Sequence, residues 1–238
     1  MKLHKKLLMS FKKNIHLLIG KRFYIKKSPK LTYLIDMRNR VDRIINAFSE
    51  YEQPQIDYFF SQLKTNNCRF FIDIGAHWGH YSMLIASEEC FNQTEIHAFE
   101  PDKINRYQLY ANLFLNKLHD RITVYDYALS SKDGELKFHH YDENNRGKSH
   151  VSDDGQSIVK TQQLDSIFKF KKQIVGIKID VEGHEQDVIA GMTAFLKNNK
   201  CILQIESFSI SYPALLTMMT TLGYTKINTI DSDHYFCN

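Results

Sequence analysis

The feature that most constrains the fold is an alternation, from Arg69 to the C-terminus, of short apolar runs with stretches of helical periodicity. Seven runs have the length and the β-branched or aromatic content typical of strands: RFFIDI, TEIHAFE, ITVYDYA, IVGIKID, CILQIE, YTKINTI and HYFC. Helical spacing separates most of them, over residues 81–87, 104–118, 185–196 and 213–222. Alternating strands and helices favour βαβ units. We therefore predict an α/β fold with one open, doubly wound, mostly parallel sheet of seven strands.

One interval departs from this alternation of strands and helices. Residues 130–157, SSKDGELKFHHYDENNRGKSHVSDDGQS, are polar and have no helical period. A hairpin or another excursion is expected there instead of a crossover helix. Loops of this length in a compact domain are often functional.

The N-terminal region is basic. Residues 1–30 hold ten of the 31 Lys and Arg residues and no acidic residue, which leaves 21 basic against 27 acidic residues in the rest of the chain. Leu3, Leu7, Phe11, Ile15 and Leu18 share one face of a helix with lysines opposite. This pattern predicts a cationic amphipathic helix that contacts an anionic membrane or packs on the protein or on a second subunit, as in a homodimer. Lysines interrupt every apolar run, so neither a membrane span nor a signal peptide is predicted.

Two further helices are predicted in the same region, one over residues 31–48 and one after Pro54. Residues 1–64 are thus expected to form a helical extension, and residues 65–238 the α/β domain. The acidic body and the lack of a recognised binding motif exclude nucleic acid as a predicted partner. The four cysteines are scattered, which favours free thiols and a cytoplasmic protein, peripheral at the inner membrane if the arm binds lipid.

Residues at the carboxyl ends of the first two predicted strands indicate a site that binds a nucleoside. FIDIGAHWGHYS has the spacing D-x-G-x-x-x-G, with Asp73 before the turn, Gly75 in it and Gly79 before the helix. A pyrophosphate-binding loop would have G-x-G-x-x-G, so a dinucleotide is disfavoured. Glu100 ends the second strand 25 residues after Gly75, where an acid accepts hydrogen bonds from ribose hydroxyls.

Five blocks of the chain resemble the FkbM-type family of S-adenosylmethionine-dependent methyltransferases. They are FIDIGAHWGHYS, HAFEPDKINRYQLYANLFLN, VYDYALS, IKIDVEGHEQDVIAGM and LQIE, and the fourth is the most particular to the family. The resemblance implies a Rossmann-like methyltransferase sheet and S-adenosylmethionine as cofactor. It places the cofactor-binding residues at Asp73, Gly75, Ala76, His77, Gly79, Ser82, Glu100, Pro101, Asp126, Tyr127, Ala128 and Asp180, with Asp126, Tyr127 and Ala128 facing the adenine.

The block IKIDVEGHE is where the acceptor is expected to meet the methyl group. Methyl transfer is an in-line displacement, so the protein mainly aligns the reactants and needs a base only for the hydroxyl proton. His184 is the first candidate for that base and Asp180 the second, with Glu182 beside them and water as a further proton acceptor. Lys178 is expected to pair with a neighbouring carboxylate. The donors near this edge have no diagnostic metal-ligand spacing, so no metal is predicted.

Substrate contacts are assigned to Tyr141, Arg146, Ser149 and His150 in the excursion, to Glu206 and to the loop 207–212. Aromatic and polar side chains of this kind suit a polyhydroxylated ligand. The prediction is an O-methyltransferase acting on a hydroxyl of a sugar or of a surface or lipid-linked glycan. The alternatives are a nicotinamide-dependent oxidoreductase and a non-catalytic glycan- or membrane-associated binding protein on the same scaffold.

Overall fold

A computed structural model describes residues 20–48, 50–141 and 145–238. Within these ranges the strands are β1 (Phe23–Lys27), β2 (Thr32–Asp36), β3 (Phe70–Ile74), β4 (Glu95–Phe99), β5 (Ile122–Tyr125), β6 (Ala128–Leu129), β7 (Gly134–His139), β8 (His150–Val151), β9 (Ser157–Gln162), β10 (Ile174–Ile179), β11 (Lys200–Glu206), β12 (Thr225–Ile230) and β13 (Asp233–Cys237). The helices are α1 (Arg40–Phe48), α2 (Gln53–Thr65), α3 (His80–Ser87), α4 (Lys103–Leu115), α5 (Leu164–Ile167), α6 (Glu185–Ala190), α7 (Thr193–Asn198) and α8 (Tyr212–Thr221).

The main sheet has seven strands in the order β12-β13-β11-β10-β3-β4-β5. The pairings from β11 through β10, β3 and β4 to β5 are parallel, whereas β13 is antiparallel to both of its neighbours. The predicted α/β fold is confirmed, with a mixed sheet. One hydrophobic cluster packs α2, α3 and α4 on one face, and a second packs α6, α7 and α8 on the other.

The polar interval after β5 folds as an excursion from the main sheet. Strands β6, β9, β7 and β8 form a separate four-stranded sheet, with Phe138 in its small core. The prediction that a crossover helix is replaced here is confirmed. The predicted strand 122–128 ends at Tyr125, because the chain turns away toward this second sheet.

The N-terminal region corrects the sequence prediction. Residues predicted to begin a helix at 31 instead form an antiparallel hairpin of β1 and β2, and the helix is confined to α1. Leu31, Tyr33 and Ile35 are buried in alternation, so the period is two. The amphipathic helix predicted before this hairpin falls mainly on residues 1–19, outside the described residues.

One helix boundary also differs. The helix predicted over 185–196 is two short helices, α6 and α7, broken at Gly191, a residue type that disfavours helix interiors. Leu31, Ile45 and Leu63, from the predicted N-terminal extension, belong to the same hydrophobic cluster as residues of the main sheet.

Three amides on α4 fix the hairpin to the domain. Gln108, Asn112 and Asn116 are four residues apart and therefore lie on one face of the helix. Asn116 accepts from the Thr32 N–H and donates to its carbonyl, each at 2.7 Å. Asn112 accepts from the Leu34 N–H at 2.7 Å, and Gln108 donates to the Leu34 carbonyl at 2.8 Å. This amide ladder, formed by Gln108, Asn112 and Asn116, satisfies the open edge of β2 as a neighbouring strand would.

Candidate active site

A cavity of about 350 Å³ opens at the carboxyl ends of β3, β4, β10 and β11. Open parallel sheets bind their ligands at this edge. Polar and titratable side chains from six parts of the chain line the cavity, among them Arg40, Tyr51, Glu52, Asp73, His77, His80, Tyr81, Glu100, Asn105, Lys148, Lys178, Asp180, Glu182, His184 and Glu206.

The turn after β3 brings the backbone against the end of β10. Gly75 has φ +81°, and a Cβ built there would lie 1.8 Å from the Asp180 carbonyl oxygen, so no side chain fits. Gly79 has φ +89°, but its neighbour is Leu109 on α4, and it does not line the cavity. Asp73 is buried and accepts hydrogen bonds from the Ser82 N–H and hydroxyl. Ser82 therefore holds Asp73 and is not itself part of the cavity wall.

Glu100 is placed by the backbone around it. Its two carboxyl oxygens accept the N–H groups of His77, at 2.8 Å, and Asp102, at 2.7 Å. Burial raises the pKa of Glu100 to about 8. Next to it, the buried Asn105 Oδ1 has no hydrogen-bond partner among residues 20–48, 50–141 and 145–238. The cavity thus presents an unused acceptor beside a carboxyl at the end of β4.

Lys178 and Asp180 form an ion pair of 2.9 Å at the end of β10, as the sequence predicted for the lysine. The ammonium also lies 4.7 Å from the centre of the Tyr81 ring. Burial opposes the charge of Lys178, but Asp180, Glu52 and Asp73 raise its pKa above the usual value.

Asp180 and Glu206 ionise differently. Burial disfavours the Asp180 carboxylate, yet Lys178 and a hydrogen bond from Glu206 lower its pKa. Burial and the Asp180 charge raise the pKa of Glu206 to about 9. At neutral pH the pair therefore holds one proton, on Glu206, and Asp180 is the ionised member.

The wall opposite these strands comes from the N-terminal region, whose helices were one expected source of substrate contacts but in which the sequence singled out no residue. Glu52 has φ 52° and accepts a hydrogen bond from the Tyr81 hydroxyl at 3.0 Å. Burial raises its pKa. Tyr51 and Arg40 line the same side. No local motif marks these residues, because only tertiary packing brings them to the strand ends; Pro54, which starts α2, is the one nearby signal.

His184 and Glu182 both line the cavity. The His184 Nε2 lies 3.0 Å from the Ser130 hydroxyl, and its Nδ1 lies 3.6 Å from Asp187. Burial lowers the pKa of His184, so the ring is neutral at pH 7. Burial and the Asp180 charge raise the pKa of Glu182 to about 7.

Ala76, His77, Pro101, Ala128, Ser149 and His150, all predicted site residues, also line the cavity. Besides Gly79 and Ser82, four predicted residues do not: Asp126, Tyr127, Tyr141 and Arg146. Asp126 is exposed, and Tyr127 packs against the Phe99 and Tyr125 rings. Tyr141 is exposed, and its N–H bonds the Ser149 hydroxyl.

Arg146 corrects the prediction that it contacts substrate. Its guanidinium donates to Asp36 at 2.8 Å and to Gln108 at 2.9 Å, below the cavity wall. The charge is thus used to attach the excursion to the β1–β2 hairpin, where a buried carboxylate requires a partner. The neighbouring Lys148 lines the cavity instead.

Comparison with known proteins gives the family. Residues 73–226 match the model described as the methyltransferase FkbM domain. Hexuronic acid methyltransferase AglP of Haloferax volcanii is 25% identical over 191 residues, which are 78% of this chain and 70% of that protein.

Solved structures agree in fold. Methyltransferase FkbM from Methylobacillus flagellatus KT aligns with a TM-score of 0.52 and 19% identity, over 72% of this chain and 44% of that one. This chain therefore spans less than half of that solved chain. Human methyltransferase 10 domain containing protein aligns with a TM-score of 0.53 and 13% identity, over 98% and 95% of the two chains.

The resemblance read from the five sequence blocks is confirmed by a family model that covers most of the chain, including both strand-end motifs and the turn at Gly75. The protein belongs to the FkbM methyltransferase family.

Proposed function

We propose that this protein is an S-adenosylmethionine-dependent O-methyltransferase that acts on a hydroxyl of a sugar or glycan. The observation that carries the proposal is the cavity itself, which joins a nucleoside-type half at β3 and β4 to a polar half at β10, β11 and residues 40–52. When bound, the cofactor would supply a methyl group activated by a sulfonium.

The residues of the first half fit that cofactor. Glu100 and the unpartnered Asn105 Oδ1 are acceptors suited to ribose hydroxyls and an amine. The turn at Gly75 lies directly against the end of β10 because it has no side chain, and Asp73 and Asp180 favour a ligand with positive charge. Pro101 and Ala128 provide apolar wall on the same side.

The second half suits a polyhydroxylated acceptor. Glu52, Asp180 and Glu206 provide hydrogen-bond acceptors, and Tyr51 provides an aromatic wall of the kind that covers sugar rings. Arg40 and Lys148 add positive charge at the same cavity. The relative AglP is named for a hexuronic acid, so an acidic sugar belongs in the acceptor panel.

We assign the hydroxyl proton to Asp180. Asp180 is ionised beside Lys178, whereas both nitrogens of His184 face side-chain oxygens of Ser130 and Asp187. Lys178 then positions the carboxylate, and the Glu206 proton keeps the pair at one negative charge. His184, the first candidate from the sequence, becomes the alternative base, and Glu182 lies beside both.

The first test is a calorimetric titration of the purified protein with S-adenosylmethionine, S-adenosylhomocysteine and NAD. We expect the two adenosyl ligands to bind at micromolar concentrations and NAD not to bind, because the turn lacks the middle glycine of a pyrophosphate loop. Preferential binding of NAD would support the oxidoreductase alternative. No binding of either adenosyl ligand would contradict the proposal.

The second test measures transfer of labelled methyl groups to a panel of neutral sugars and hexuronic acids. Asp180→Asn and His184→Asn are compared at saturating cofactor. We expect Asp180→Asn to lower kcat at least a hundredfold and His184→Asn to lower it much less. The reverse order would assign the base to His184. Cofactor binding without transfer to any sugar or glycan would favour the non-catalytic alternative.

A further inference from the structure

Helix α4 presents a row of large apolar side chains to solvent. Ile104, Tyr107, Tyr110 and Phe114 are 50%, 58%, 50% and 75% exposed. They lie three or four residues apart, so they form one stripe along the helix. The opposite side of α4 packs on the rest of the protein. Leu109 and Leu113 lie in the core, and the amide ladder hydrogen-bonds β2. A contiguous apolar stripe of this kind marks an interaction surface.

The charged residues of α4 and of the turn after it are basic as far as Lys117, and the exposed Asp120 lies three residues beyond. Between Asp102 and Asp120 the sequence has Lys103, Arg106 and Lys117 and no acidic residue. Lys103 and Lys117 are exposed at the two ends of α4, and the Lys103 ammonium lies 5.6 Å from the centre of the Tyr107 ring. Tyrosines beside lysines at the rim of an apolar surface are typical of a protein region that lies in a lipid headgroup layer.

The β1–β2 hairpin, which α4 holds, also exposes apolar side chains near basic residues. Phe23 and Ile25 on β1 are 52% and 55% exposed. They belong to the first 30 residues of the chain, which carry ten basic and no acidic residues. The amide ladder therefore joins the basic N-terminal region to the helix that bears the stripe.

A second copy of the chain fits this surface less well. In a two-fold interface the same patch meets itself, so Lys103 and Lys117 would approach the equivalent lysines with no acidic residue on α4 to offset them. An anionic bilayer satisfies both the apolar stripe and its basic ends.

We propose that the α4 stripe of Ile104, Tyr107, Tyr110 and Phe114 docks on an anionic lipid surface, with the lysines at the two ends of the helix facing the headgroups. Pro101 and Asn105, at the start of the same helix, line the cavity. Docking therefore places the cavity close to the membrane surface. The proposal is independent of which acceptor is methylated.

The test is co-sedimentation of the full chain with vesicles of phosphatidylcholine alone or mixed with phosphatidylglycerol. We expect binding to the mixed vesicles, reduced roughly tenfold by Phe114→Ser and further by adding Tyr107→Ser. Ile227→Thr is the matched control, because Ile227 is 37% exposed on β12, at the edge of the main sheet opposite to β5. It should bind as the unmodified chain does.

A variant that lacks the two lysines separates the electrostatic contribution to vesicle binding from the apolar contribution. Lys103→Gln with Lys117→Gln should lower binding to the mixed vesicles by roughly fivefold per lysine and leave weak binding to neutral vesicles unchanged. Circular dichroism melts confirm that each variant is folded. Unchanged vesicle binding by the α4 variants would overturn the proposal. So would a dimer in light scattering that Phe114→Ser converts to a monomer.

Discussion

Glu100 is the residue whose ionisation most directly affects cofactor binding. Its pKa is raised by burial to about 8, so a large fraction is protonated at pH 7. Ribose hydroxyls donate more strongly to a carboxylate than to a carboxylic acid. We therefore expect the affinity for S-adenosylhomocysteine to rise between pH 6.5 and pH 9, measured by calorimetry.

Glu100→Gln is the matched control for this prediction. The amide cannot ionise, and its NH₂ group opposes one of the backbone N–H donors. The affinity should fall roughly tenfold and lose its pH dependence. A pH dependence retained in this variant would assign the titration to another group, such as Glu182, whose pKa is raised to about 7.

At this scale the sequence predicts residues that sit at strand ends and misses those brought there by packing. Asp73, Gly75 and Glu100 follow short apolar strands at a recognisable spacing, so their place in the cavity could be predicted. Glu52 lies before a helix outside the family domain, and only its contact with Tyr81 reveals its place. Arg146 was misassigned because sequence does not show that Asp36, 110 residues away, is buried against it.

At the scale of elements, the amide ladder makes α4 a substitute for a β-strand. Asn112 is fully buried, accepts from the Leu34 N–H and donates to the Trp78 carbonyl. Asn112→Ala leaves both backbone groups without a partner, so we expect a loss of about 3 kcal/mol in the free energy of unfolding. Chemical denaturation measures it.

Asn198→Ala is the control for Asn112→Ala, because the exposed Asn198 side chain donates to the carbonyl of Ala194 in its own helix. Its effect should stay within about 0.5 kcal/mol. Equal effects of the two substitutions would show that β2 does not depend on the ladder.

The dependence of β2 on the amide ladder explains why its residues were predicted as the start of a helix. Leu31, Leu34, Ile35 and Arg38 have helical spacing, and a two-stranded hairpin is marginal without packing. The strands persist because α4 supplies hydrogen bonds from 74 to 84 residues away. The central strands β3, β10 and β11 were predictable since each carries its own continuous apolar run, buried on both faces.

At the scale of the whole molecule, buried carboxyl groups set the pH dependence of stability. Burial raises the pKa of Glu206 to about 9, of Glu100 to about 8 and of Asp233 to about 7. Each such group keeps its proton in the folded state at pH values where the unfolded chain has lost it. Stability therefore falls as the pH rises toward these values.

Buried histidines affect the stability at lower pH than these carboxyl groups do. Burial lowers the pKa of His77 to about 3 and of His80 to about 4, so they destabilise the fold only as the pH falls below about 6.5. Between pH 6.5 and 9 the buried carboxyl groups therefore lower the stability as the pH rises. We expect the Tm to be lower at pH 9 than at pH 6.5, with a shallower dependence in Glu206→Gln. A Tm that rises over this range would contradict the burial of these groups.

The amide ladder also determines when the hairpin can be completed during synthesis. Thr32 meets Asn116 only after 84 more residues have been added, which takes about 4 to 17 s at typical translation rates. Throughout that interval the Thr32 and Leu34 backbone groups have no α4 to bond, and an unpaired strand edge is a template for aggregation. Nascent chains that stall before Asn116 should therefore be the form of this protein most dependent on chaperones.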